Sequence, residues 1–141
     1  MFCPNCFLEK QPEGKCPLCG YEKSERARSP IYLPLGSVVN GKYMIGQILG
    51  NPGGFSVTYL GFNSGLQKKV AIKEFLPRQY VSRADDGRAL VVHEDRYQDV
   101  FLSGLRQFIT EARILARFNE PSIVQVFDVF EENKTAYIVM D

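Results

Sequence analysis

The stretch "ILGNPGGFSVTYLG", residues 48–61, sets four glycines and a proline among apolar and β-branched residues. Strand-forming runs flank the glycines, so the segment reads as a β-hairpin with an almost bare turn. A turn of that kind either closes two strands or lets its backbone approach a phosphate, and the glycines alone leave both readings open. The following run "VAIKEF", residues 70–75, is more pointed, because Lys73 sits between Ile72 and Glu74 in a largely apolar run. Alternation puts Lys73 on one face with Ala71 and Phe75, a costly place for an ammonium unless an anion meets it.

Outward from this pair, the pattern is strand-rich. "YMIGQIL" (43–49) and "FSVTYLGF" (55–62) form the hairpin, and "KKVAIKEF" (68–75) follows through the turn "NSG". "SIVQVFDVF" (122–130) and "TAYIVM" (135–140) form a second pair joined by "EENK". Between Tyr97 and Phe118, apolar residues recur as Phe101, Leu105, Phe108, Ala112 and Leu115, with Ile109, Ala116 and Phe118 widening the stripe. Asn119, Glu120 and Pro121 stop this helix. The order predicts an α+β layer fold, one helix against a five-stranded antiparallel sheet. Glu111 flanks the helix's apolar stripe and is the candidate anion for Lys73. The segment 77–96 reads as a charged, surface-lying excursion with a small hairpin around "ADDG", and His93, the only histidine, as a solvated loop residue.

All four cysteines fall between residues 3 and 19, as "CPNC" (3–6) and "CPLCG" (16–20). Two Cys-x-x-Cys pairs supply the four thiolates of a tetrahedral structural zinc site, with Cys3, Cys6, Cys16 and Cys19 as ligands. Gly20 is suited to the positive φ that closes the second knuckle. Two disulfides are the alternative, disfavoured by the absence of an export signal at "MFCPNC"; a redox Cys-x-x-Cys would not need a duplicate. The expected organisation is a zinc ribbon over 1–23, a linker over 24–36 and a folded body over 37–141. A formal net charge of +1 gives no electrostatic argument for nucleic acid or an anionic membrane. No apolar run approaches the length of a membrane span, and a cytoplasmic location is expected.

These motifs, in this order, resemble the N-terminal lobe of a bacterial eukaryotic-like serine/threonine protein kinase. "LGNPGGFSVTYLG" is similar to the family's glycine-rich loop over ATP phosphates, and "VAIKEF" to its strand lysine motif. "FITEARILARFNEPSIVQVFDVFEENKTAYIVMD" is similar to the family's helix αC, the next two strands and the start of the hinge. Zinc ribbons precede such domains in some bacterial proteins. The resemblance implies a transferase, with ATP, Mg and a protein substrate in the complete kinase, and a structural Zn. It implies that Leu49, Gly50, Asn51, Pro52, Gly53, Gly54, Phe55 and Ser56 form the loop over the phosphates, with Phe55 at its tip. Lys73 would pair with the α- and β-phosphates and Glu111 would hold Lys73. Thr58 and Ala71 would lie over the adenine, Met140 would be the gatekeeper and Asp141 the first hinge residue.

The loop departs from the family pattern in two places: Asn51 and Pro52 stand where one residue is usual, and Ser56 where a third glycine is usual. H-R-D and D-F-G motifs, which the family uses for its base and for Mg²⁺, do not occur in these residues. The chain alone is therefore expected to be catalytically silent. The alternative expectation is a non-catalytic zinc-ribbon and pseudokinase-like module that binds protein partners, the ribbon included; nucleotide sensing without chemistry is a third.

Overall fold

The computed structural model describes residues 2–8, 15–21 and 29–141. Along the chain run β1 (Val38–Val39), β2 (Tyr43–Ile48), β3 (Ser56–Asn63), β4 (Lys68–Phe75), β5 (Val81–Arg83) and β6 (Leu90–Val92). A 3-10 turn over Asp95–Tyr97 leads into α1 (Gln98–Leu115), followed by β7 (Val126–Glu132) and β8 (Thr135–Met140). Six strands form one antiparallel sheet in the order β1-β2-β3-β4-β8-β7, and β5 and β6 form a separate two-stranded sheet. The five expected strands are all present. The sixth is β1, turned onto β2 by Asn40 and Gly41, which take φ of 51° and 67°. β7 starts four residues later than the sequence pattern suggests, because its first partner pair is Val126 with Met140 at the end of β8.

Period-two alternation gives the sheet two different faces. Val57, Tyr59, Val70, Ile72, Glu74, Tyr137 and Val139 lie on one face and are buried. Residues 29–36, the end of the expected linker, lie against that face with Leu33 fully buried; residues 24–28 lie outside the described residues. The other face carries Thr58, Ala71, Lys73 and Phe75. Helix α1 packs there, with Phe75 against the rings of Phe101 and Phe108 at 5.5 Å each.

The first face holds a buried charge the sequence reading did not anticipate. Glu74 is fully buried, its Oε1 accepting from Arg83 Nη2 at 2.5 Å and Tyr59 Oη at 2.9 Å, its Oε2 from Tyr137 Oη at 2.6 Å. Arg83 Nε donates to the Ile31 carbonyl at 2.7 Å, and the Leu33 amide donates to Tyr59 Oη at 3.0 Å. One cluster thus ties β3, β4, β5 and β8 to the segment that crosses them. The "ADDG" hairpin forms as expected and His93 is exposed. The segment 77–96 is nevertheless more than a surface excursion, since its Arg83 side chain is only 4% exposed and neutralises Glu74.

Burial, and then the charge of Glu74, push the Tyr59 and Tyr137 hydroxyls well above the ordinary tyrosine range. Unfolded tyrosines lose their proton near pH 10 while these two keep theirs, so the folded state binds more protons there. Stability is expected to fall as pH rises through about 10, read as an alkaline shift in the urea midpoint. Arg83→Met leaves the Glu74 charge buried without its cation and should cost about 3–5 kcal/mol. Adding Glu74→Gln should recover part of that loss; a double variant no better than Arg83→Met would count against the charge as the cause.

Candidate functional site

The hairpin β2–β3 carries the glycine-rich turn. Register runs from Tyr43 opposite Asn63 to Ile48 opposite Tyr59, and the Leu49 amide donates to the Thr58 carbonyl at 2.8 Å beyond it. Gly50 takes a φ of 63°, a left-handed conformation that a side chain would resist. Asn51, Gly53, Gly54 and Phe55 are exposed, and Pro52, Leu49 and Ser56 half-buried. Two contacts hold this turn. The Leu76 amide donates to the Phe55 carbonyl at 2.8 Å, and Arg78 Nη2 donates to the Gly53 carbonyl at 2.5 Å. Arg78 Nη1 in turn donates to Tyr32 Oη at 2.8 Å, linking the loop to the crossing segment. No motif marks Arg78 or Tyr32; their roles arise only where three separate segments meet.

Across β3 and β4, Thr58 is paired with Lys73 and Leu60 with Ala71; across β4 and β8, Ala71 is paired with Met140. Thr58, Ala71, Lys73 and Met140 are therefore neighbours on the α1 side of the sheet, and Asp141 follows Met140. A cleft of about 420 Å³ opens between sheet and helix, lined by Lys73, Glu111, Phe55, Ser56 and Phe75 among others. Lys73 and Glu111 thus share one cleft from strand and helix. The ion pairs among the described residues do not join them; Glu111 Oε1 accepts from Gln107 Nε2, one turn back, at 3.2 Å. The helix approaches closely because Gly104 faces Phe75, where an added Cβ would lie 2.9 Å from the ring.

The four cysteines converge at the N-terminus. Their sulfurs all lie within 4.8 Å of one another, with Cys3–Cys19 and Cys6–Cys16 at 3.6 Å each. A tetrahedron with Zn–S of about 2.3 Å has edges of roughly 3.8 Å, whereas a disulfide needs about 2.05 Å. The spacing fits a shared metal ion, and the cysteines are free thiols. Donors aimed at the sulfurs also fit: the Asn5 side chain and then the Tyr21 amide bring the Cys19 thiol down to about 6. Cys6 moves the other way, to about 11: the Leu8 amide lowers it, but burial and the three neighbouring thiols outweigh that amide. A cation at the centre would relieve this crowding. Ribbon residues 1, 9–14, 22 and 23 lie outside the described residues.

No protein-family model matches the chain. The probable serine/threonine-protein kinase PknB of Bifidobacterium longum is 28% identical over 114 residues, which is 74% of this chain and 14% of the relative. The solved structure "PpkA-294 apo form" superposes with a TM-score of 0.74 at 36% identity, over 79% of this chain and 38% of its own. The fold is that of a bacterial eukaryotic-like serine/threonine kinase N-lobe. The chain spans well under half the length of either of these proteins. Among the described residues of this N-lobe chain, no helix is long and apolar enough to cross a membrane.

Gly104→Val should force the N-lobe helix away from Phe75. A loss of about 1–3 kcal/mol in urea unfolding is expected from such overpacking. Gly104→Val as stable as the wild type would show that the helix has room to spare.

Proposed function

We propose that residues 37–141 are the ATP-binding lobe of a serine/threonine protein kinase and that residues 1–23 are a structural zinc ribbon. The observation that carries the reading is Lys73 and Glu111 lining one cleft beside a glycine-rich turn. A Cβ at Gly50, Gly53 or Gly54 would meet nothing within 4 Å, which leaves room beside this backbone for a phosphate chain. Lys73 supplies the cation for the α- and β-phosphates. Glu111, which lines the same cleft, orients that ammonium. Thr58, Ala71 and Met140 form the apolar shelf for the base, with Asp141 at its rim.

Bound ATP would supply the γ-phosphoryl group for transfer to a protein hydroxyl in the complete kinase. The groups that activate the hydroxyl and hold Mg²⁺ are not among these 141 residues. The role of this chain's own side chains is binding and alignment. Zinc suits four cysteine sulfurs that lie within 4.8 Å of one another, and it would hold two short knuckles that have little core of their own.

Titration with a non-hydrolysable ATP analogue tests the first half of the proposal. Saturable binding by wild type, weakened about tenfold or more by Lys73→Ala (a loss of at least about 1.4 kcal/mol), is the expected result. No binding by either protein, with or without Mg²⁺, would favour a partner-binding module instead. Phosphate transfer by the purified chain alone would contradict the assignment of its residues to binding and alignment.

A further inference from the structure

The two cysteine knuckles are built alike, but their closing residues differ. "CPNCF" and "CPLCG" both close with an amide returning to the first cysteine's carbonyl, Phe7 to Cys3 at 2.8 Å and Gly20 to Cys16 at 2.9 Å. Both closing residues are left-handed, at φ of 62° and 78°. Glycine takes that conformation freely, whereas a bulky residue at positive φ is a genuine outlier. Such strain persists where the surroundings over-determine it. What holds Phe7 is the lobe: its ring is buried and stacks on Phe62 of β3, with centroids 5.2 Å apart.

A second contact lies on the neighbouring strand. Ile45 pairs with Gly61 and Ile48 with Tyr59, so Gly46 and Gln47 together face Leu60 and form a β-bulge. A bulge takes an amide out of the ladder. Here the Gln47 amide donates to the Pro4 carbonyl at 3.1 Å, and Gln47 Nε2 to Asn5 Oδ1 at 2.7 Å. Gly46 makes room for this approach, since a Cβ there would lie 2.4 Å from the Pro4 carbonyl oxygen and 2.7 Å from the Phe7 ring. Pro4, Asn5 and Phe7 belong to the first cysteine knuckle, between and just after Cys3 and Cys6. By strand alternation Phe62 shares its face with Thr58, four residues or about 13 Å along β3.

We infer that the cysteine knuckle is a brace on the glycine-rich hairpin, with metal occupancy setting the order of β2 and of the turn that follows it. The inference rests on the zinc reading and goes beyond it by giving the ribbon an intramolecular partner. With metal bound, Cys3 and Cys6 fix the Pro4 and Asn5 backbone, which fills the bulge and holds Gln47. Without metal the knuckle loses its shape, and the Gln47 amide and the Phe62 ring lose their partners. Residues 46–48 lead directly into Leu49 and Gly50, so the loosening reaches the turn.

Hydrogen exchange on the full chain, zinc-loaded and chelator-stripped, tests the brace, with zinc content measured in each sample. Expected is one zinc per chain, with exchange at Gln47 and across residues 48–55 at least tenfold faster after stripping, while α1 is unchanged. Phe7→Gly relieves the strained φ and removes the ring. It should keep its zinc, yet exchange at residues 46–55 like the stripped protein. A chain that binds no zinc overturns the zinc reading and the inference with it. Zinc bound at one per chain, with Gln47 equally protected before and after stripping or in Phe7→Gly, overturns the brace alone.

Discussion

Strand β4 carries opposite charges on its two faces, and the rest of the structure is arranged around that fact. Glu74 points into the core, where Arg83 and two tyrosine hydroxyls meet its carboxylate. Its neighbour Lys73 points into the cleft under the helix. The strand is hydrogen-bonded on both edges, to β3 and β8, so its register is held from either side. A slip of one residue would exchange the two charges, burying an ammonium with no carboxylate and exposing an acid in the cleft. The Glu74 cluster therefore fixes which face Lys73 presents.

The same cluster explains why the segment before the lobe is ordered. Burying a carboxylate is tolerable only when its lone pairs are satisfied, and the partners recruited here come from well-separated parts of the chain. Arg83 also holds the Ile31 carbonyl, and Tyr59 holds the Leu33 amide. Tyr32, on the same segment, meets Arg78, which grips Gly53 in the glycine-rich turn. The hairpin is thus held at its tip by the crossing segment and at its bulge by the cysteine knuckle. A turn with little side-chain packing of its own acquires its position from these outside contacts.

Much of this was legible beforehand. β4 and β8 begin and end where the alternating runs do, and the helix lies within the span of its apolar stripe. The cysteine spacing announced a four-sulfur cluster, and the sulfurs do converge. Lys73, Glu111 and the glycines stood out because charge in an apolar strand and glycine in a turn are local anomalies. The buried acid was missed because the local signal is weak: Glu74 shares its face with Val70 and Ile72, but Lys73 shares its own with Ala71 and Phe75. Arg83 gave no such signal, because a polar hairpin looks the same whether its arginine faces water or a carboxylate nine residues earlier.

By itself, then, the sequence determined the helix, every strand of the main sheet but β1, their order and the four-cysteine cluster. Periodicity, turn chemistry and ligand spacing are properties of short stretches and can be read there. The tertiary structure alone decided which face of β4 is the core, what satisfies Glu74, and why Phe7 stands where glycine would suffice. Each depends on groups distant in sequence meeting in space, and burial gives those meetings their energetic weight.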